Sequence, residues 1–377
     1  MQETTGQLIS KELLQKSKKI LFVTHLAIGD FVYLQSFFKT FSQYYPDIKI
    51  DLWIDEVRRT RCFWRWNHLK NYSLYDWINN CGLFNIVYNQ TYSPATYKKS
   101  LQQAQKEQYP IVVSLGIIRP HQYARLARQI SPKGFVVAVK NPTKPWNILK
   151  NKAYKNVDKT FLDPAHYDHI SDLYALWCKQ LFGIDIEQSV RAPRIDIPIK
   201  WVIYAKLRFL KYGLDKKNNN FGKVFFVNAF AKDKKRNWPL RSLAHFIGAI
   251  KRSDEWNDIS FIVNAPPGNY VHVKRLFDDL GFKNVIIFSA QQSFFQLPAI
   301  MSCCDLVVTV ETAVMHLANA VGVPVIALMR QKNPEWAPYD KKNSIVITTK
   351  KRSEWINAIA WQHVVDVTVK VAKERLS

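Results

Sequence analysis

The sequence predicts an α/β protein built as two Rossmann-like domains, each around a parallel sheet. Short apolar runs of strand length alternate with stretches of helical period along both halves of the chain. A polar, proline-bearing stretch separates the two alternations. With 377 residues, 47% of them hydrophobic, the chain is long and apolar enough for two cores of ordinary size.

The first alternation opens with the strand-like run Ile20 to Thr24, followed by a loop, His25 to Gly29. Beyond it Phe31, Leu34, Phe38, Phe41 and Tyr45 recur at helical spacing, so one face of that helix packs on a sheet. Ile48 to Ile54, Ile111 to Leu115 and Phe135 to Val139 read as further strands, the last two separated by a helix from Gln122 to Ile130. From Gln188 to Gly222 the character changes: Pro193, Pro198, a basic aromatic stretch from Trp201 to Tyr212 and the polar run Lys216 to Asn220 read as a linker. The second alternation has strands at Val224 to Val227, Ser260 to Val263, Val285 to Phe288, Leu306 to Val310 and Val325 to Leu328. Its helices start at Pro239, Phe294 and Thr312. The expected division is 1–187, a linker at 188–222, 223–352, and a C-terminal helix at 353–377 that could pack back on the first domain. Open parallel sheets bind ligands beyond the carboxyl ends of their strands, so the chemistry is expected in a central cleft that both sheets face.

Lysine and arginine number 54 against 30 acidic residues, a formal charge of +24, which implies an anionic partner: phosphate, nucleic acid or a membrane surface. Five cysteines, with Cys303 and Cys304 adjacent, suggest neither a disulfide framework nor a paired metal site, and a reducing cytoplasm is expected. Met1 to Lys19 is polar and basic, with no pattern of a signal peptide. The most apolar stretch, Leu306 to Met329, is broken by Glu311, His316, Asn319 and a Gly322-Val323-Pro324 turn, so it reads as strand, helix, strand rather than a membrane span. The glycine-rich dinucleotide fingerprint, the P-loop and the His-Glu-x-x-His helix do not occur, which weakens dehydrogenase, NTPase and metalloprotease readings. There is no Asp-x-Asp triplet to place a divalent cation on a nucleotide diphosphate. No metal and no cofactor are expected.

Three segments carry candidate chemistry. In Thr24 to Asp30, Asp30 opens a helix after a strand, where it can be a helix cap or a general base for an incoming hydroxyl. Asn228 to Pro239 is a basic loop between strand and helix, either solvated surface or a holder of diphosphate through Lys232, Lys235 or Arg236. In Leu306 to Pro324 a buried strand runs into a helix carrying Glu311 and Thr312 at its start and His316 on the same face as Thr312. Free N–H groups there favour a phosphate, and Glu311 could accept from ribose hydroxyls; a cap carboxylate with a structural histidine is the alternative.

In order and spacing these segments resemble glycosyltransferase family nine, the ADP-heptose:lipopolysaccharide heptosyltransferases. The family's strand followed by Gly-Asp is similar to Ile20 to Asp30. Its Lys or Arg before Trp-Pro is similar to Lys235-Arg236-Asn237-Trp238-Pro239, and its Asp-Thr-Gly-x-x-His signature is similar to Glu311 to His316 followed by Gly322-Val323-Pro324. Glu311 stands for the family's aspartate, Ala313 for its glycine, and Ala229-Phe230-Ala231 for its hydroxyl-rich loop. Asn264-Ala265-Pro266 stands where the family commonly has an acidic residue.

The resemblance implies the GT-B fold and an inverting, metal-independent transfer, with Asp30 as base. It implies an ADP-heptose donor bound by Asn228, Lys232, Lys235, Arg236, Glu311, Thr312, Ala313 and His316. Arg58, Arg59, Arg61, Arg65, Lys70, Arg119 and His121 would meet an acidic Kdo-lipid A or inner-core lipopolysaccharide acceptor at the cytoplasmic face of the inner membrane. Those basic residues can equally form a solvated face. Trp53, Trp64 and Trp66 among them suggest a surface touching lipid, or core. Another nucleotide sugar, an inactive GT-B protein, or a non-catalytic nucleic-acid- or polyanion-binding protein are the competing readings; no nucleic acid is expected, since no recognised nucleic-acid module occurs.

Overall fold

The computed structural model describes residues 7–55, 59–142, 144, 146–162, 164, 166–214 and 222–375. The chain divides into two compact units after Arg191.

In the first unit the order is α1 (Lys11–Lys16), β1 (Lys19–Thr24), α2 (Ile28–Tyr44), β2 (Lys49–Ile54), α3 (Trp66–Lys70), α4 (Ser73–Asn80), β3 (Val87–Tyr88), α5 (Pro94–Lys106), β4 (Ile111–Ser114), α6 (Pro120–Ile130), β5 (Phe135–Lys140), α7 (Ile148–Lys155), β6 (Lys159–Leu162) and α8 (Ile170–Phe182). All six strands are parallel, in the order β3-β2-β1-β4-β5-β6. Strand β1 is buried on both faces, as a central parallel strand must be. On one face Phe22 meets Phe37, Phe38 and Phe41 of α2 and Phe182 of α8, with ring centroids 5.1 to 6.3 Å apart. The edge-to-face geometry suits aromatic quadrupoles and fixes α2 firmly over the sheet.

The second unit contains α9 (Ile199–Lys211), β7 (Val224–Asn228), α10 (Leu240–Lys251), β8 (Ser260–Asn264), α11 (Tyr270–Leu280), β9 (Val285–Phe288), α12 (Gln296–Met301), β10 (Leu306–Val310), α13 (Ala313–Ala320), β11 (Val325–Met329), β12 (Ser344–Thr348) and α14 (Trp361–Arg375). Its six parallel strands run β12-β11-β10-β7-β8-β9, which is the same order as in the first unit when counted from β7. The strand-rich core joins Phe225, Phe261, Val308 and Ile326 to α10 and α14. Helix α14 lies against α10 in its own unit, with Val364, Val371 and Ala372 in this core. Within the stretch 188–222, residues 199–211 form α9, which packs on α12 within this unit, while the polar run Lys216 to Asn220 lies outside the described residues.

Candidate functional site

In each sheet the order of strands reverses once, between β1 and β4 in the first unit and between β7 and β10 in the second. The crevice at such a reversal is where open parallel sheets hold ligands. The residues flagged from sequence follow these strands and their neighbours β2 and β11.

After β1 comes Asp30. It is the third residue of α2, not the first: Ala27 is the cap, Ile28 and Gly29 are already helical, and the expected loop ends two residues early. The reason is Asp30 itself, whose Oδ2 reaches back to accept the Ala27 N–H at 2.8 Å and so starts the helix sooner. Its Oδ1 lies 3.5 Å from the Tyr174 hydroxyl of α8. The Ala27 contact therefore orients the carboxyl, while the Tyr174 contact is long. Asp30 keeps partial contact with solvent, but burial of the carboxyl pushes its pKa up from 3.8 to about 6, against the pull of the Ala27 amide, its own amide and Tyr174. A carboxylate poised near neutrality suits proton abstraction better than an ordinary one, which is too weak a base.

Around it the first unit is cationic. Arg59 and Arg61 follow β2 and are exposed, and Arg58 lies outside the described residues. The Arg59 guanidinium sits 3.5 Å from the Tyr97 ring centroid. Arg119, after β4, is left-handed at φ 55° and directly precedes Pro120, a backbone state that costs energy and that the packing of α6 holds in place. The His121 pKa is lowered by burial first, then by Lys150, Arg125 and Arg119, so His121 belongs to the same positive cluster. Burial raises the Tyr123 hydroxyl pKa, while the positive charges of Arg59 and Arg119 pull it down. A cavity of about 670 Å³ is lined by Arg59, Thr60, Trp64, Arg65, His68 and Leu69. Trp64 is 70% exposed there, and Trp66 donates to the Thr60 carbonyl at 2.9 Å. Trp53 departs from the reading as a lipid-facing residue: it is fully buried, stacked on Tyr88, because β2 is an interior strand.

In the second unit the loop after β7 is folded on itself. Trp238 N–H donates to the Ala229 carbonyl at 2.9 Å, and Asn237 accepts from the Ala231 N–H at 2.6 Å. The buried Trp238 indole donates to the Ile359 carbonyl at 3.0 Å and pins the loop to the core. The Trp-Pro pair is thus the anchor that presents the basic residues. Lys232 and Lys235 are exposed, Lys235 lying 5.6 Å from the Trp355 ring. Asn228 does something other than reach a ligand: its amide donates to the Phe230 carbonyl and to Thr309 Oγ1 and accepts from Asn264. This buried network ties together the ends of β7, β8 and β10, which spends the whole amide on bracing the crevice.

Glu311 also departs from its expected place. It is 4% exposed rather than turned outward to a ribose. Its Oε2 accepts from the Arg330 N–H at 3.2 Å and Nε at 3.3 Å, its Oε1 from Arg330 Nη2 at 3.4 Å, and Arg236 Nη1 stands 3.8 Å from Oε1. A buried carboxylate must be paired, and the longer reach of glutamate lets it span two arginines. Beside this cluster α13 begins at Ala313; its cap Thr312 makes no side-chain cap hydrogen bond, and of the first-turn N–H groups that of Met315 donates to the Thr312 carbonyl at 3.0 Å. His316 is buried under that turn against Trp336, with ring centroids 5.8 Å apart. The unit thus gathers Arg236, Arg330 and a helix start at one place, groups whose chemistry suits an anion.

The sequence reading missed Arg330 and Tyr174. Arg330 had a signal: it is the first residue after an apolar strand, at the ligand-binding edge. Tyr174 had none, because its place beside Asp30 depends on how α8 packs.

The sequence model of Glycosyltransferase family 9 (heptosyltransferase) matches residues 186–358. No curated protein matches the chain in sequence. Among solved structures, the glycosyl transferase family 9 protein from Veillonella parvula is 17% identical, with 98% of this chain and 100% of that one aligned at a TM-score of 0.72. The ADP-heptose lps heptosyltransferase II of E. coli is 14% identical over 95% and 100% of the two chains, with a TM-score of 0.66. The E. coli heptosyltransferase WaaC with ADP is 15% identical over 93% and 99%, with a TM-score of 0.64. These similarities show a shared GT-B fold.

Proposed function

We propose that this chain is a glycosyltransferase of family 9, whose sequence model matches residues 186–358, and that it transfers heptose with inversion from ADP-heptose to a Kdo-lipid A or inner-core lipopolysaccharide acceptor. The observation that carries this reading is the chemistry at the two strand-order reversals. The first holds a carboxylate with a pKa near 6 and the second a paired-arginine anion site.

Asp30 Oδ1 takes the proton of the acceptor hydroxyl as that oxygen attacks the anomeric carbon, while the bond to the nucleotide diphosphate breaks on the opposite side. Charge grows on the departing diphosphate. Lys232, Lys235, Arg236, Arg330 and the N–H groups at Thr312 to Val314 stabilise that charge most when the bond is broken, which is how such donors lower a barrier. Arginine and backbone groups supply this without a divalent cation. Glu311 acts through the arginines, holding their planar groups in register. Arg59, Arg61, Arg119 and His121 meet the acidic groups of the acceptor, whose lipid places the enzyme at the inner-membrane surface. Among the described residues no helix is long and apolar enough to cross a membrane.

A panel of ADP-, UDP- and GDP-activated sugars assayed against truncated lipopolysaccharide acceptors tests the reading. Turnover of ADP-heptose on a heptose-deficient acceptor is expected. Tighter binding of UDP than ADP would overturn the donor, and turnover with none of the acceptors would overturn the transfer.

A further inference from the structure

Helix α9 has the wrong face outside. Its sequence, IKWVIYAKLRFLK, buries only Ala205 and Phe209, and the helix packs against α12. The opposite face is formed by residues 199, 200, 203, 206, 207, 210 and 211, all exposed and spaced as one side of a helix. On it stand Ile199, Ile203, Leu207 and Leu210, at 72%, 51%, 60% and 53% exposure, interleaved with Lys200, Lys206 and Lys211. The helix carries no acidic residue. A contiguous aliphatic stripe of this kind costs solvation in water and marks an interaction surface.

We infer that this face of α9 docks the protein on an anionic lipid bilayer, lying flat in the interface. Thirteen residues make a helix of about 20 Å, too short to span a bilayer but suited to lie along it. Four aliphatic side chains enter the acyl boundary, and the lysine stems extend their charged ends to the phosphates. A second copy of the chain is the poorer occupant. Pairing two such faces about a two-fold axis would bring the lysines of one copy, Lys200, Lys206 and Lys211, against those of the other. Four aliphatics also fall short of the roughly 1,200 Å² that a specific dimer buries. An anionic surface instead neutralises the lysines that flank the stripe. The inference rests on the proposed lipid-borne acceptor for its purpose, but not for its test, which reads binding without turnover.

The test is co-sedimentation of the whole protein with vesicles of phosphatidylglycerol and phosphatidylethanolamine, beside vesicles of phosphatidylcholine alone. The wild type is expected to bind the first and hardly the second, with binding weakened by salt. Ile203→Ser with Leu207→Ser, and separately Lys200→Glu with Lys206→Glu, should each lower the partition by about tenfold or more. All four side chains lie outside the core, so melting temperature and turnover on a delipidated acceptor fragment should hold. Equal vesicle binding by the Ile203/Leu207 variant would overturn the inference, as would absence of wild-type binding. So would a concentration-dependent dimer that the same substitutions dissolve while vesicle binding persists. Vesicle binding through α9 in a protein that transfers no sugar would sink the proposed function and leave this inference standing.

Discussion

The two units share one strand order and differ in what stands where that order reverses. In the first, the helix that follows the opening strand carries as its third residue an acid whose carboxyl is crowded until its pKa nears 6. In the second, the corresponding loop carries no acid into the crevice but presents Arg236, and the next strands bring Glu311 and Arg330 to meet it. On the proposed function, the same scaffold yields a base in one unit and an anion receptor in the other. The difference lies in a few side chains after the strands, not in the sheets, so each unit can be disarmed without unfolding it.

Asp30→Asn should have the largest effect. Turnover should fall by a factor on the order of 10² or more while ADP binding is retained, as measured by steady-state kinetics and titration. The wild-type rate should rise with pH through about 6, as Asp30 loses its proton. Stability should move the other way. Between 3.8 and about 6 the folded protein holds a proton that the unfolded chain releases, so Asp30 contributes stability below that window that is lost as pH rises through it. Asparagine removes that loss, and denaturant titration at pH 7 should find the variant no less stable than the wild type. A residue that only capped α2 would change neither rate nor pH profile.

Glu311→Gln should cost stability in the second unit. It leaves Arg236 and Arg330 facing one another without their shared anion, a loss of about 2–3 kcal/mol given that the Arg236 side chain is 31% exposed. Thermal unfolding checks it, and an unchanged melting temperature would return Glu311 to the outward, ribose-facing place. Reversing charge at Arg59 and Arg61 should weaken acceptor binding by roughly tenfold, leave ADP binding alone and flatten the salt dependence. Equal losses for both ligands would break the division between units. Smallest of all, Ala313→Gly should hold ADP affinity or improve it by up to about threefold, since it removes a methyl group where the backbone approaches an anion.

The interior of both sheets was legible because central parallel strands are continuous apolar runs: Leu306–Val310 has the expected bounds, and Val285–Phe288, although an edge strand, is such a run too and was found with them. The strands that escaped, Val87–Tyr88, Lys159–Leu162 and Ser344–Thr348, all stand at sheet edges, where exposure breaks the run with polar residues. Helix α9 was hidden for a related reason. With only Ala205 and Phe209 turned inward, its aliphatic residues mark the outer face, and the prolines before it suggested a linker. At the candidate site, sequence found the positions after β1, β7 and β10 but misjudged how Asn228 and Glu311 are used. A side chain's direction depends on partners such as Asn264, Thr309 and Arg330 that lie 36, 81 and 19 residues away along the chain.

The division of labour itself is tested most directly by calorimetric titration of ADP into the wild type, Asp30→Asn, and Lys235→Ala with Arg236→Ala. Affinity should be unchanged by the substitution in the first unit and should drop by at least about tenfold with the pair in the second, where the charge-assisted contacts to the diphosphate are removed. Comparable loss in both variants, or full affinity in the Lys235/Arg236 variant, would contradict the assignment of the anion site to the second unit.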